Sequence, residues 1–194
     1  MLELRNITIS LKKDDRCIVD NFSFSLSRGE KAVIIGEEGN GKSTLLKWIY
    51  QKELVKEYCN SSGEVIAKGK MAYLPQMMEE KICKLTLLEY FGNFEYYLHT
   101  ALLAKLGLAV EFILSEQPLG TLSGGEKVKV QLAKLLMEEP DLLLLDEPTN
   151  DLDIDTLQWL ENFIAESKLP ILYISHDETL IERTANVIVH MEQI

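Results

Sequence analysis

Residues 36–43 read Gly36-Glu37-Glu38-Gly39-Asn40-Gly41-Lys42-Ser43 and satisfy GxxxxGK[ST] at every fixed position. This motif constrains the fold before it says anything about chemistry. The apolar run Ala32-Val33-Ile34-Ile35 stops at its first glycine, and helical spacing at Leu45, Leu46 and Ile49 begins where it ends. Strand, glycine-rich loop and helix in that order specify a parallel α/β unit, with the loop set between a buried strand and a helix N-terminus. Glycines let the backbone close around a phosphate so that successive N–H groups point at it. Lys42 is then placed to reach the β- and γ-phosphates of a nucleotide, Ser43 to ligate Mg2+, and Thr44 to follow in the first helical turn, where the dipole favours an anion. Glu37 and Glu38 are unfavourable neighbours for a polyphosphate, so their side chains are expected to point away and leave only their amides facing it.

The remaining chain supplies the layers such a unit needs. Leu142–Leu145 and Ile171–Ile174 are short, bounded apolar runs with the length of buried parallel strands. Helical spacing at Val128, Leu132, Leu135 and Leu136 precedes the first of them. Between the two runs, Asp153 caps a helix whose Leu157, Leu160 and Ile164 face inward. The N-terminal third alternates instead, with Leu2, Leu4, Ile7 and Ile9, then Phe22, Phe24 and Leu26, which reads as antiparallel strands. Residues 77–121 lack that alternation and carry Leu87, Leu88, Phe91, Phe94, Tyr96, Tyr97, Leu102, Leu103 and Leu106, a small helical insert with its aromatics in the core. The expected fold class is α/β: a phosphate-loop NTPase core with a mainly parallel sheet, an N-terminal antiparallel β layer and a small helical subdomain over 77–121, in one domain spanning 1–194.

Composition narrows the setting. The chain has 194 residues, 46% of them hydrophobic, enough for a core without disulfide staples. Its three cysteines, Cys17, Cys59 and Cys83, show neither CxxC spacing nor a pairing pattern, which fits reduced thiols. No apolar run approaches the roughly 18 residues of a membrane span, and Met1-Leu2-Glu3-Leu4-Arg5 lacks the layout of a signal peptide, so a cytoplasmic location is expected. A formal charge of −11 argues against coating nucleic acid, and no direct DNA binding is expected.

Two further features belong with the phosphate loop. The run 142–145 leads straight into Asp146-Glu147, and a buried strand ending in adjacent acids puts a carboxylate beside the metal of a phosphate-loop enzyme. Asp146 is expected to hold Mg2+, and Glu147 to polarise the attacking water as general base. Ser123-Gly124-Gly125 opens an apolar-striped helix, where exposed amides and a hydroxyl form a second anion site.

Taken in order, Gly36–Ser43, Gln76 after Tyr73-Leu74-Pro75, Leu122–Glu126, Leu142–Glu147, Asn150–Asp153 and Ser175-His176-Asp177 resemble the ATP-binding-cassette (ABC) ATPase domain over essentially the whole chain. The resemblance implies that ATP is the substrate and Mg2+ the cofactor, and that the partner is a second cassette, as homodimer or paired cassette, stacked head to tail. Ser123, Gly124 and Gly125 would grip the γ-phosphate bound to the other subunit. Gln76 would sense Mg2+ and the attacking water, and His176 would contact the γ-phosphate and help organise that water. Asp153 would belong to the loop that communicates across the dimer. Glu126 after the two glycines and the run Asp146–Asp153 look like the ABC-F branch, non-transporter ATPases of which many act on ribosomes. The alternatives are the nucleotide-binding subunit of an ABC transporter, peripheral at the inner face of the membrane through a permease docked on 77–121, and a module that closes on ATP without hydrolysing it. The family stacks adenine on an aromatic residue near position 11; Leu11, Lys12 and Lys13 stand here, with no aromatic between Met1 and Phe22, so weak selection of ATP over GTP is expected.

Overall fold

Alternation of side chains along each strand decides which layer faces which in the computed structural model, which describes residues 1–92 and 96–192. In chain order the strands are β1 (Leu2–Leu11), β2 (Cys17–Leu26), β3 (Lys31–Ile35), β4 (Cys59–Ala67), β5 (Met71–Leu74), β6 (Leu142–Asp146), β7 (Ile171–Ile174) and β8 (Val187–His190). The helices are α1 (Lys42–Tyr50), α2 (Glu80–Cys83), α3 (Leu87–Phe91), α4 (Thr100–Lys105), α5 (Val110–Ile113), α6 (Gly124–Met137), α7 (Ile154–Glu166) and α8 (Glu178–Thr184), with short 3-10 turns between some of them.

Strands β2, β1 and β4 form an antiparallel sheet with β1 in the middle. The inward set Leu2, Leu4, Ile7 and Ile9 breaks step once, between Leu4 and Ile7. The pairing with both neighbours is irregular at that step, and Asn6 there has φ 49. An extra residue at a bulge keeps the apolar side chains on the buried face where strict alternation would have turned them out.

The second sheet is wholly parallel in the order β5-β6-β7-β3-β8. Its period of two sorts residues between two cores. Leu142, Leu144, Leu172, Ile174, Ala32 and Ile34 pack with the antiparallel layer and with Leu45, Leu46, Trp48 and Ile49 of α1. Leu143, Leu145, Ile171, Tyr173 and Val33 pack on the opposite side with Val128 and Leu132 of α6, Leu160 and Ile164 of α7 and Leu180 of α8. Both faces are covered by helices or sheet, which is why these runs are apolar throughout.

A third core joins α3, α4 and α5 through Leu87, Phe91, Leu103, Leu106 and Ile113 to Val130, Ala133 and Met137 on the far side of α6. The aromatics expected in this core divide: Phe91 is buried, whereas Tyr97 is 57% exposed. Phe94 and the side chain of Tyr96 lie outside the described residues. An isolated antiparallel bridge between Thr86 and Pro118 closes the base of this region.

One buried cation ties the layers together. Lys31 is 3% exposed, and its Nζ donates to the carbonyls of Gly29, Ser167 and Leu169 at 2.9, 2.9 and 2.7 Å. The ammonium thus fixes the exit of α7 to the start of β3, and burial pulls its pKa below the usual lysine value. Because all five strands of the second sheet run the same way, the ends of β3, β5, β6 and β7 open on one edge. Ligands of open parallel sheets bind at such an edge.

Candidate active site

From the end of β3, the loop 36–41 returns the chain to α1. Lys42 is 6% exposed, and its Nζ donates to the carbonyls of Gly36 and Glu37, both at 2.7 Å, which holds the ammonium over the loop. The far side of the loop is braced by the exit of β8. Asn40 Nδ2 donates to the Met191 carbonyl at 3.3 Å, and the same carbonyl lies so close to Gly36 that a Cβ there would clash with it. Gly36 is therefore required by its neighbour as well as by its φ of +150.

At the end of β6, Asp146 is 1% exposed and accepts two hydrogen bonds. Ser43 Oγ donates to its Oδ1 at 2.8 Å, and the Tyr73 hydroxyl, from β5, donates to its Oδ2 at 2.9 Å. The serine hydroxyl and the aspartate carboxylate are both hard oxygen ligands. Among the described residues no group of three or more His, Cys, Asp or Glu gathers as a protein cage for a metal. That pattern fits Mg2+, which takes one or two protein oxygens and fills its shell with water and phosphate. Ser43 and Asp146 are the residues that would hold it.

Glu147 follows in a left-handed conformation, φ 46, that a non-glycine residue adopts only at a cost. Its N–H donates to the carbonyl of Ile174 at 3.1 Å, so the last pairing of β6 with β7 is kept while the side chain swings out of the sheet. Glu147 Oε1 then stands 3.2 Å from Nε2 of His176, which leaves β7 two residues after Ile174. Burial pushes the Glu147 carboxyl above its ordinary range; His176 and Lys42 oppose that shift, while Asp146 and Glu38 add to it.

These groups share one cleft of about 750 Å3. It is lined by Gly39, Gly41, Lys42, Ser43 and Thr44 of the loop and helix start, by Gln76, Glu147 and His176, and by Leu11, Arg16 and Ile18. Of the sequence-derived residues, Lys42, Ser43, Gln76, Glu147 and His176 are thus brought together, with Asp146 beneath them. Gly36, Glu37 and Asn40 support the loop without lining the cleft. Of the two acidic loop residues expected to turn their side chains away, Glu38 is among those that line the cleft, and its charge reaches Glu147.

Ser123, Gly124 and Gly125 do not line this cleft. Ser123 caps α6 in a reciprocal box: its Oγ accepts from the Glu126 N–H at 3.2 Å, and its own N–H and hydroxyl donate to Glu126 Oε2 at 2.8 and 2.9 Å. The glycines have a local reason as well. A Cβ on Gly124 would clash with the Asp151 carbonyl, and one on Gly125 with Thr156 Oγ1. The start of α6 is packed directly on the loop that follows Glu147.

Sequence reasoning missed Tyr73 and Arg16. Tyr73 entered the sequence reading only as part of Tyr73-Leu74-Pro75 before Gln76, with no role of its own. Arg16, in a run of charges at a hairpin tip, carried none.

A family model described as ABC transporter matches residues 19–150. The chain is 33% identical over its full length to the ATP-binding protein Uup of Buchnera aphidicola, covering 33% of that protein. It is 34% identical to the energy-dependent translational throttle protein EttA of Haemophilus influenzae, over 95% of this chain and 34% of the other. The chain therefore spans about a third of the length of these relatives. A dimeric ATP-binding cassette in a post-hydrolysis state bound to ADP and Pi superposes with a TM-score of 0.79 at 22% identity, covering 100% of this chain and 96% of that one.

Proposed function

The chain belongs to the ABC ATPase family, and from that premise we propose that these 194 residues form a single cassette, with 77–121 as its helical subdomain, that hydrolyses Mg-ATP between two such cassettes stacked head to tail. The observation that carries the reading is the Glu147–His176 pair facing Lys42 and Ser43 across one cleft. The loop amides and Lys42 bind the β- and γ-phosphates; Ser43 and Asp146 would hold Mg2+, whose positive charge would offset the negative charge of the phosphates. Glu147 accepts a proton from water as the water oxygen bonds to the γ-phosphorus. The bond from that phosphorus to the β–γ bridging oxygen breaks, and ADP leaves with the electron pair. The proton on Glu147 passes to the phosphate products. A pKa lifted by burial makes Glu147 a better proton acceptor than a solvated carboxylate. His176, in contact with it, orients the carboxylate and the γ-phosphate, and Gln76 closes the same end of the cleft.

The position of Ser123–Gly125 outside the cleft supports the paired arrangement, since a second anion site facing outward suits a phosphate bound by another chain. The motif wording and the similarity to EttA support an ABC-F-type role in the cytoplasm, coupled to the ribosome. A second reading, a permease-bound subunit, draws on an apolar groove of about 460 Å3 beside Gln76, lined by Tyr50, Leu54, Met77, Ile82, Tyr90 and Leu135. Among the described residues no helix is long and apolar enough to cross a membrane.

The test uses Glu147→Gln with ATP and Mg2+. The variant is expected to bind ATP, accumulate as a dimer and release almost no phosphate, and when affinity-purified from cells to bring down ribosomes. Wild-type rates of phosphate release in the variant would overturn the catalytic assignment, and recovery with membrane proteins would favour the second reading.

A further inference from the structure

We propose that Tyr73 is a positioning residue for the metal site: its hydroxyl fixes the Asp146 carboxylate so that Oδ1 stays aimed at Ser43 and at the cation. The inference rests on the ATPase reading above, and it concerns a residue outside the nucleotide cleft.

Asp146 is almost fully enclosed, and its two oxygens have different partners. Oδ1 takes the Ser43 hydroxyl, the other hard ligand of the site, and Oδ2 takes the Tyr73 hydroxyl at 2.9 Å. A carboxylate pinned at one oxygen cannot rotate about its terminal bond without losing that hydrogen bond, so the direction of the other oxygen is set before any cation arrives. Hydrogen bonds to an ionised acceptor are the strong ones, and in an enclosed site no bulk water replaces a lost donor.

The donor is itself held in place. The Tyr73 ring stacks on Tyr50 of α1 with centroids 5.3 Å apart and 27° between planes. Strand β5 pairs in register with β6, Tyr73 opposite Leu144 and Leu74 opposite Leu145. Two residues of α1, Ser43 and Tyr50, thus bear on Asp146 from both sides, one directly and one through the tyrosine. Tyr73 also lines the apolar groove beside Gln76, while its hydroxyl reaches Asp146.

Tyr73→Phe removes the oxygen and keeps the ring. The measurement is Mg2+ titration of the binding of a fluorescent, non-hydrolysable ATP analogue, in wild type and variant, alongside the Mg2+ dependence of turnover. The expected result is a half-saturating Mg2+ concentration raised about tenfold, the low end of what losing an outer partner of a metal ligand costs. Nucleotide affinity in EDTA is expected to stay close to wild type, while the melting temperature without ligand falls by a few degrees because a buried carboxylate loses a donor. Tyr73→Leu, which also removes the stack, separates packing from positioning: it is expected to lower the melting temperature further without a further rise in the half-saturating Mg2+ concentration. Mg2+ dependence identical in Tyr73→Phe and wild type overturns the proposal. A wild-type chain whose nucleotide binding ignores Mg2+ would instead overturn the ATPase reading, and the role of Tyr73 with it.

Discussion

Nε2 of His176 lies 3.2 Å from Oε1 of Glu147, although the two residues come from the ends of different strands and the histidine is much the more exposed of the two. The contact makes the acidic limb of the pH–rate profile depend on both. Glu147 works as a base only when ionised, and its pKa stands above the ordinary glutamate value, so turnover should fall as pH drops through that raised pKa. A positive charge on His176 favours the carboxylate. His176→Ala should therefore move the acidic limb to higher pH as well as lower kcat, as read from kcat against pH.

The same burial has a stability consequence of opposite sign to the usual carboxylate. A carboxyl whose folded pKa is raised costs nothing while protonated and weakens the fold as pH rises from its unfolded value through its folded one. Glu147→Gln should match wild type in chemical denaturation near pH 4 and equal or exceed it at pH 7. A variant less stable than wild type at pH 7 would show that the carboxylate contributes more through His176 and Lys42 than it loses by burial.

Gly125→Ala should destabilise the chain by about 1–3 kcal/mol, as overpacking a filled site does, because the new methyl meets Thr156. Thr156→Ala removes the Oγ1 and Cγ2 atoms it strikes and should restore part of the loss, measured by urea denaturation of the single and double variants. Failure of that rescue would show that the cost of the methyl does not come from Thr156.

Leu11, Arg16 and Ile18, not an aromatic ring, line the cleft alongside the phosphate loop. GTP should compete with ATP within about tenfold, since no ring here fixes the base. Leu11→Tyr should tighten ATP and GTP alike in a competition titration, a stacked base being worth roughly 1–3 kcal/mol whichever base it is; a strong preference for ATP in the wild type would contradict the reading.

Local grammar made the loop 36–43, the carboxylates 146 and 147 and the cap at Asp153 legible in the sequence, because each depends on neighbours within a few residues. The apolar runs of β3, β6 and β7 were legible as buried strands, but not which of their residues face which core. The bulge at Asn6 was visible only as a missed beat between Leu4 and Ile7. What stayed hidden depends on partners far along the chain. Tyr73 matters through Asp146, 73 residues away, and Gly124 through the backbone of Asp151. The acidity of Glu38 suggested avoidance of the cleft, but the loop's own path, fixed by Lys42 and Met191, makes the residue part of its lining.

The brace under Gly36 also sets an order in time. Met191 donates its N–H to Ile35 and offers its carbonyl to Asn40, and β8 completes the sheet beside β3. The motif at 36–43 thus leaves the ribosome some 150 residues before the strand that secures it. Contacts of such long sequence separation form late and slowly. A nascent chain carries every residue of the phosphate loop long before it can shape one, so nucleotide capture marks the end of folding, and nucleotide present at that moment would favour the finished fold.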